Sequence, residues 1–456
     1  MTPPGPLPTP LPAAEGAPVD ACDRADGDRG TPDAPVDAPT SVPMERWWVA
    51  SRTGVWIALS RIVAGVVVGH AAVTLFPQSV LHTRLGTLSN GAWLEVFDRW
   101  DARYYLTIAT HGYPAHAPGV RAFFPGYPLV VRVVHVLTGG LLTFPQAACL
   151  VSMTAFVAAA GLLYRLVDSR FTARTALIST LLFCWFPTSV FFLAPYSEAL
   201  FALEILVVAT LLDEGRWWWA AVVAGYASAT SPESVALTGA LVVAALVAHR
   251  GLRRTVGYAL VGSFGAVAFV AFLSIRFGKP LAFADALPGF HRVVMVPLVG
   301  MVENIGAIHQ VLTTPHSPIT GIRHLTSTAL WSNVVWMWLV DDIALLLAVC
   351  ALITLITVSL RHRRDTDAPL ESLVPIFWMV LLAVIIATAS ATVVHAPGGP
   401  VSTEAVARLV SVAFPLYVGL TLMVRRWRAP VVAGLALSVA AALVTQVLFN
   451  LGYWVT

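Results

Sequence analysis

The sequence predicts an all-α polytopic membrane protein. Hydrophobic residues make up 57% of the 456-residue chain and charged residues only 12%, and the mean hydropathy is +0.76. A typical soluble domain carries roughly 25% charged residues. Apolar runs of about 17 to 25 residues, long enough to cross a bilayer as helices, recur along the chain. A large soluble domain is therefore excluded, and a net charge of +3 is too small to indicate a nucleic-acid partner.

The first 43 residues differ from the rest of the chain. They are rich in Pro, Ala, Gly and Asp and contain almost no large apolar side chains. Such a segment cannot bury enough surface to offset its chain entropy, so residues 1–43 are expected to form a disordered cytoplasmic tail. The tail lacks a basic start followed by an apolar core, which argues against a cleavable signal peptide. Residues 44–456 are the predicted transmembrane domain.

Eleven apolar runs predict about eleven transmembrane helices. They lie near 55–76, 147–166, 175–193, 196–212, 217–232, 234–249, 256–275, 335–359, 372–394, 408–424 and 430–450. The run 124–142 is also apolar, but it is predicted to be a surface or re-entrant segment. With this run left outside, the arginine groups near 165–174, 216, 250–254, 361–364 and 425–428 all fall on the cytoplasmic side, as the positive-inside bias requires.

This topology places most of the remaining polar residues on the outer face. A first outer loop, 77–146, is expected to carry interfacial helices, and a second spans 276–334. The second loop contains His316, Arg323 and His324, whose spacing is not specific. The turns at 196–198 and 231–233 and the loop before Arg408 share this face. Polar residues near a membrane are costly and mark function, so the site is expected there.

Two aspartates in the first outer loop are the predicted catalytic residues. Asp98 and Asp101 lie among aromatic residues, including Trp100, Tyr105 and Tyr113. A helix from Asp98 to Ile108 would place Asp101 and Tyr105 on one face of an interfacial helix. One carboxylate would then act as general base towards an acceptor hydroxyl, and the other would position the substrate. The alternative is an ion pair of either aspartate with a nearby arginine, Arg99, Arg103 or Arg121.

Four further polar residues have both a functional and a structural interpretation. His111 could bind a phosphate or a sugar hydroxyl, although a lone surface histidine often has no role. Arg121 carries a guanidinium that matches phosphate geometry, which suggests a lipid phosphate as its partner. Glu198 and Glu233 could contact substrate or could simply complement the positive end of a helix.

Three segments carry a resemblance to a known family. The stretches WDARYYLTIATHGY, AFFPGYP and FPTSVFFLAPYSEALF resemble the PIG-V mannosyltransferases, which belong to the GT-C class of membrane glycosyltransferases. FGKPLAF at 277–283 and RLVSVAFPLYVGL at 408–420 look like weaker signatures of that family. The resemblance implies a GT-C bundle that transfers a hexose, mannose in eukaryotic members, from a polyprenyl-phosphate sugar to an acceptor hydroxyl outside the cytosol, with inversion.

The resemblance also assigns roles to particular residues. Asp101 matches the aspartate of the family's Trp-Asp motif, which implies a catalytic acid/base. Residues of two further motifs are implied to bind substrate: Phe123, Phe124 and Pro125 in one, and Tyr196, Ser197 and Glu198 in the other. The chain departs from the family where an Arg-Pro pair is usual, because Ser231-Pro232-Glu233 stands there. Donor phosphate binding or sugar identity is expected to differ accordingly.

Cofactor, partners and location follow from the same observations. The sequence contains no nucleotide-binding or metalloprotease motif, so the donor substrate is expected to be a polyprenyl-phosphate sugar, and a divalent metal is possible but not indicated. The arginine-rich, lysine-poor composition suggests a bacterial homologue of actinobacterial type in the plasma membrane, for which the eukaryotic glycolipid acceptor would not exist. Two alternatives stay open: a lipid or solute transporter, and an inactive relative that acts as a partner of another membrane enzyme.

Overall fold

The computed structural model describes residues 44–76, 94–313, 328–366, 374–395, 401–403, 405–453 and 455. Within these ranges the chain is mostly helical, which confirms the predicted class. The helices are α1 (Met44–Leu75), α2 (Ala102–His111), α3 (Gly126–Leu137), α4 (Phe144–Arg170), α5 (Ala173–Cys184), α6 (Glu198–Asp213), α7 (Trp217–Ala227), α8 (Ser234–Val247), α9 (Leu252–Gly262), α10 (Phe264–Phe277), α11 (Val299–Thr313), α12 (Thr328–Thr366), α13 (Ile376–Ala391), α14 (Val406–Ser411), α15 (Pro415–Val424) and α16 (Arg428–Asn450). The predicted tail, residues 77–93 and His316, Arg323 and His324 lie outside the described residues.

Four helices are long and apolar enough to span a membrane. The qualifying stretches are Ser51–Leu75 in α1, Phe144–Arg170 in α4, Trp336–Arg364 in α12 and Arg428–Asn450 in α16. The consecutive helices α9 and α10, bent by 49° at their junction, make a fifth if they count as one span. The prediction of eleven spans is therefore not confirmed by the part of the chain that the structure describes.

Several predicted spans are instead shorter helices followed by irregular backbone. In the run 175–193, α5 ends at Cys184, and a 3₁₀ turn at Ser189–Phe192 follows. Pro187 lies between them, and proline disfavours helical backbone at the residue before it. Hydropathy alone cannot detect such an interruption, because the residues on both sides of it are apolar.

The interior of the bundle is built around α4. This helix packs against α1, α3, α5 and α6, and most of its span is buried. A β-carbon on Gly54 of α1 would lie 2.2 Å from the carbonyl oxygen of Ala160 in α4. Small residues of this kind allow membrane helices to approach closely. The α1–α4 crossing therefore depends on the absence of a side chain at position 54.

A small antiparallel sheet, which the sequence did not predict, joins two distant segments. Its strands are β1 (Arg292–Val294), β2 (Thr392–His395) and β3 (Val401–Thr403), in the order β1-β2-β3. Arg292 pairs with Val394, and Val393 pairs with Thr403. These strands are short and rich in valine and threonine, which favour extended backbone. The sheet ties the segment after α10 to the chain that leads into α14.

The predicted helix from Asp98 to Ile108 is wrong at its start. Helix α2 begins at Ala102, and Asp101 is the residue that precedes it. Trp100 has a φ of +53°, which a non-glycine residue seldom adopts and which interrupts the helical path. Its indole N–H donates to the carbonyl oxygen of Tyr453, 3.0 Å away, and this contact holds the turn. Asp98 and Asp101 therefore do not share a helix.

Candidate active site

A polar cavity of about 170 Å³ lies where five chain segments meet. Its walls come from the start of α2, the residues before α3, the turns that precede α6 and α8, and α14. Leu287, Phe290 and Arg292 close a further side. The volume far exceeds that of one water molecule, which needs roughly 10–15 Å³ by the same measure. A small polar ligand group therefore fits within it.

Asp101 is fixed at this cavity by two separate contacts. Its backbone N–H donates to the hydroxyl oxygen of Tyr196 at 3.0 Å, and that hydroxyl donates in turn to the carbonyl oxygen of Arg99 at 3.0 Å. Its carboxylate Oδ2 accepts a hydrogen bond from Nη1 of Arg408 at 3.1 Å. Asp101 is only 8% exposed, and the exposed part faces the cavity.

Arg408 holds a second carboxylate besides Asp101. Its Nε lies 2.9 Å from Oε1 of Glu198, an ion pair that is not aligned as a hydrogen bond. The guanidinium also lies 5.3 Å from the ring of Phe191 and 5.5 Å from that of Tyr196. All three charged groups are buried. Two buried carboxylates therefore share one arginine, and burial raises the pKa of Glu198 to about 7.

Glu198 lines the cavity with one of its carboxylate oxygens buried and, within the described part of the chain, unpaired. Its Oε2 has no hydrogen-bond partner among the described residues, although Glu198 is only 5% exposed and lines the cavity. A buried polar atom without a partner is costly and calls for an explanation. Glu198 therefore binds Arg408 through Oε1, and its carboxylate would have to turn for Oε2 to meet a ligand hydroxyl in the cavity.

A hydroxyl pair and an aromatic wall shape the floor of the cavity. The hydroxyls of Tyr105 and Ser197 are 2.9 Å apart. Burial raises the pKa of Tyr105 above its ordinary range, and the nearby carboxylate of Glu198 adds to this effect, so the phenol stays neutral. The ring of Phe123 lies edge-on to Tyr105 at 5.1 Å and edge-on to Phe290 at 6.1 Å. Aromatic faces next to hydroxyl groups suit a ligand with both apolar and polar edges.

The turn before α8 forms the opposite rim. Ser231, Pro232 and Glu233 all line the cavity, and the Ser231 hydroxyl donates to the Glu233 carboxylate. Behind this rim, the Thr230 hydroxyl donates to Oε1 of the buried Glu204 at 2.9 Å. The segment that departs from the family's Arg-Pro pattern thus belongs to the site itself.

The structure brings together seven of the fourteen predicted site residues at the cavity wall. They are Asp101, Tyr105, Phe123, Phe124, Ser197, Glu198 and Glu233. Tyr196 supports Asp101 from behind, as described above.

The other predicted residues do not line this cavity. Asp98 and Trp100 precede the turn into α2, and Pro125 caps α3. His111 is exposed, and its Nδ1 lies 2.6 Å from the Thr110 hydroxyl. Tyr113 donates to the carbonyl oxygen of Phe123 at 2.8 Å.

Arg121, which was expected to bind a lipid phosphate, contacts other groups of the protein. Its guanidinium lies 4.1 Å from the ring of Phe277 and donates to the carbonyl oxygen of Ala115. Neither Arg121 nor the other arginines suggested as partners of Asp101 makes that ion pair.

Two arginines at the cavity were not predicted as site residues. Arg408 pairs with Asp101 across 307 positions, and Arg292 reaches the cavity from β1. The signal for Arg408 was present, because it is a charged residue at the start of a long apolar run, and such residues are functional candidates. Arg292 had no comparable signal. It lies in a short loop-borne strand among residues of mixed polarity.

An apolar groove begins next to the polar cavity. It has a volume of about 870 Å³ and is lined mainly by α3, α7, α9 and α10, with Tyr113, Phe264 and Phe269 among its walls. Pro125 in the groove directly follows Phe124 in the cavity, and Ala229 directly precedes Thr230. The two spaces therefore adjoin each other at these two segments.

Metal ligation depends on how close acidic and other metal-ligating side chains lie to one another. Across the described ranges, no group of three or more His, Cys, Asp or Glu residues is placed to hold a metal ion. The carboxylates of Asp101 and Glu198 are instead directed at the guanidinium of Arg408.

These features define a helical membrane protein with a buried carboxylate–arginine site. Residues 66–255, less than half of the chain, match the family model described as Mannosyltransferase (PIG-V). Over that segment, which contains Asp101 and Glu198, the chain is PIG-V-like.

Curated relatives show the same similarity. GPI alpha-1,6-mannosyltransferase 2 of Mus musculus is 37% identical over 133 residues, which is 26% of each chain. Its counterpart in Homo sapiens is 30% identical over 224 residues, 45% of this chain and 44% of the relative. GPI mannosyltransferase 2 of Drosophila melanogaster is 30% identical over 155 residues, 30% of this chain and 34% of the relative. Each of these matches therefore spans less than half of the relative.

Two solved structures of Archaeoglobus fulgidus oligosaccharyltransferase also match. One, a complex with Zn and sulfate, gives a TM-score of 0.44 at 11% identity and covers 86% of this chain and 53% of that one. The other is AglB in complex with an inhibitory peptide and a dolichol-phosphate. It gives a TM-score of 0.42 at 11% identity and covers 91% of this chain and 57% of that one.

Proposed function

We propose that this protein is a GT-C type membrane mannosyltransferase. It would transfer mannose from a polyprenyl-phosphate donor to an acceptor hydroxyl on the extracytoplasmic side. The observation that carries the proposal is the convergence of three charged residues at one buried polar cavity. Asp101 and Glu198 come from the PIG-V-like segment, and Arg408 comes from α14 outside it.

The proposed reaction is a single displacement with inversion. The acceptor hydroxyl oxygen attacks the anomeric carbon, the bond from that carbon to the phosphate oxygen breaks, and polyprenyl phosphate leaves with the electron pair. Asp101 takes the hydroxyl proton, since its carboxylate lines the cavity and is fixed at both its backbone and its side chain. General base catalysis of this kind contributes ~10²–10⁴-fold to a rate. Glu198 lines the same cavity, and a turn of its carboxylate would bring Oε2 to a sugar or acceptor hydroxyl.

The apolar groove supports a lipid-linked donor. Its wall is almost wholly apolar, and Pro125 in that wall adjoins Phe124 in the wall of the polar cavity. A polyprenyl chain in the groove would therefore place its phosphate and sugar at the cavity. Arg292 is the cation proposed to face the phosphate, since it lines the cavity from the side of β1 and a guanidinium matches phosphate geometry. This role was expected for Arg121, which is engaged with Phe277 and Ala115 instead.

The acceptor is proposed to differ from that named for the relatives. The curated relatives are GPI mannosyltransferases, whereas this chain carries Ser231-Pro232-Glu233 at the cavity rim, with the Glu233 carboxylate already bound by Ser231. A negative group at this rim disfavours a second phosphate beside the donor's own. We therefore propose a neutral glycan or glycolipid hydroxyl as acceptor, at the outer face of a bacterial plasma membrane.

The proposal is tested by supplying defined donors to membranes that contain the protein. Radiolabelled polyprenyl-phosphate mannose, polyprenyl-phosphate glucose and GDP-mannose would each be added, with matched membranes lacking the protein as control. Protein-dependent incorporation from the mannose lipid alone is the expected result. Transfer directly from GDP-mannose would contradict the lipid donor. Incorporation from none of the three would reject the enzyme in favour of an inactive relative or a transporter.

A further inference from the structure

A fully buried arginine lies in the first membrane helix, away from the candidate active site. Arg61 is 0% exposed and sits in the stretch Ser51–Leu75, one of the four candidate spans. Ionisable residues within membrane helices are costly and are retained for function. Residues 66–255 carry the PIG-V similarity, so Arg61 lies outside it. Neither the proposed reaction nor the family match accounts for this residue.

Neutral groups accept the hydrogen bonds of Arg61. Its Nε donates to the Ser189 hydroxyl at 3.0 Å, and its Nη2 donates to Oε1 of Gln446 in α16 at 2.9 Å. The guanidinium lies 5.5 Å from the ring of Trp185. Nη1 has no hydrogen-bond partner among the described residues. The arginine therefore acts on its surroundings chiefly as a donor.

The Arg61 guanidinium sets the orientation of two buried side-chain amides, one after the other. A guanidinium can only donate, so the Gln446 amide must turn its oxygen towards Arg61 and its nitrogen away. Gln446 Nε2 then donates to Oδ1 of Asn450 at 2.5 Å. Asn450 must in turn direct its Nδ2 outward, where it donates to the carbonyl oxygen of Val96 at 2.7 Å. Gln446 and Asn450 are both fully buried.

The chain of hydrogen bonds ends at the turn that carries Asp101. Val96 is five residues before Asp101, and the carbonyl oxygen of Asn450 accepts from Nε and Nη2 of Arg99, both at 3.2 Å. The same Asn450 residue thus binds this turn at two points. Arg99 is 6% exposed, and its own carbonyl oxygen accepts from Tyr196, which also holds the Asp101 N–H.

We propose that Arg61 is a positioning residue for Asp101. It acts through Gln446 and Asn450, whose amides it orients so that the turn from Val96 to Asp101 is held in the conformation that places the carboxylate at Arg408. The kinetic part of this inference rests on the proposed function. The structural part, which links Arg61 to the backbone of the turn, does not.

The substitution Gln446→Glu separates this role from simple support of a buried charge. A glutamate would give Arg61 a carboxylate partner and so satisfy its charge better than the amide does. However, it removes the Nε2 donor. Either its second oxygen then faces Asn450 Oδ1, or the Asn450 amide turns over and its oxygen faces that of Val96. Thr445→Val is the matched control, because Thr445 is a buried neighbour on the same helix and outside the chain of hydrogen bonds.

The experiment measures hydrogen exchange of peptides covering residues 96–105 in the detergent-solubilised full-length protein, together with thermal stability and mannose transfer. In Gln446→Glu we expect exchange of these peptides to rise ~10-fold, the size of effect for one buried hydrogen bond. Thermal stability should be unchanged or raised, and kcat should fall with KM unchanged. Thr445→Val should leave exchange and kcat at the wild-type values.

Equal exchange of residues 96–105 in Gln446→Glu and Thr445→Val would overturn the inference. If Gln446→Glu does not accumulate in membranes, Asn450→Asp replaces it, because that change keeps the Oδ1 acceptor and removes only the donor to Val96. If the wild-type protein shows no mannose transfer, the proposed function is rejected. The hydrogen-exchange result then tests the positioning role by itself. Increased exchange without any change in kcat would overturn the link to Asp101.

Discussion

The guanidinium of Arg408 lies 3.1 Å from the carboxylate of Asp101, although 307 positions separate the two residues in sequence. The pair joins the start of α2 to α14 in the interior of the protein. Since Arg408 also binds Glu198, removal of the arginine would leave two buried carboxylates facing each other.

Arg408→Met is therefore expected to destabilise the protein strongly. Breaking a buried ion pair by removing one partner costs about 3–5 kcal/mol, because the remaining charge stays buried. The midpoint of thermal unfolding in detergent should fall by several degrees, and Arg408→Met combined with Glu198→Gln should recover part of the loss. Arg170→Met is the control, since the Arg170–Asp213 pair is partly exposed and such pairs are worth about 1 kcal/mol or less. Equal losses in the two arginine variants would contradict the assigned role of Arg408.

Tyr196→Phe tests the support behind Asp101. The change removes only the hydroxyl that accepts from the Asp101 N–H and donates to the Arg99 carbonyl oxygen. Leaving two buried backbone groups without this partner should cost about 1–3 kcal/mol. The transfer rate should fall more than donor affinity, as measured by kcat and KM. Tyr258→Phe, which alters a buried tyrosine stacked on Trp217, should change neither constant. A Tyr196→Phe enzyme with wild-type kcat would show that Asp101 does not depend on this hydroxyl.

Gly126→Ala tests the contact between two segments of the site. A β-carbon at position 126 would lie 2.8 Å from the carbonyl oxygen of Ala229 and 2.6 Å from the Thr230 hydroxyl oxygen. Gly126 also donates its N–H to the same carbonyl at 2.6 Å, so neither side can move away freely. We expect a loss of about 1–3 kcal/mol, seen as a lower unfolding temperature.

Gly239→Ala provides the opposite expectation in the same assay. Gly239 lies inside α8, and a β-carbon there would meet nothing within 4 Å. Replacing a helical glycine by alanine should then stabilise by about 0.5–1 kcal/mol. If Gly126→Ala were as stable as Gly239→Ala, the close approach at Ala229 would be disproved.

The sequence predicted the local parts of the site better than their assembly. Asp101, Phe123, Phe124, Ser197 and Glu198 all lie at the cavity, and each belongs to a short motif that can be recognised in the sequence alone. Arg408 was missed because its pairing with Asp101 depends on the packing of α14 against distant segments, which no local pattern encodes. The same limit explains Arg292, which reaches the cavity only through a three-stranded sheet.

The fold was predicted in class but not in its helix boundaries. High hydropathy correctly indicated a helical membrane protein, yet it could not distinguish a continuous span from a short helix followed by apolar irregular backbone, as in the segment after Cys184. The start of α2 was misplaced because Trp100 adopts a φ of +53°, and its indole N–H donates to the carbonyl oxygen of Tyr453, 353 positions away. The cytoplasmic or outer placement of each loop stays a prediction.

The most direct test of the central claim compares Asp101→Asn with the wild type in transfer from polyprenyl-phosphate mannose. Asparagine keeps the size of the side chain and an oxygen for Arg408 but cannot take a proton. Asp213→Asn, at the opposite end of α6 from Glu198, is the control. The account predicts that Asp101→Asn lowers kcat by ~10²–10⁴-fold at equal protein level, with Asp213→Asn unaffected. Wild-type transfer by Asp101→Asn would contradict the assignment of Asp101 as the base.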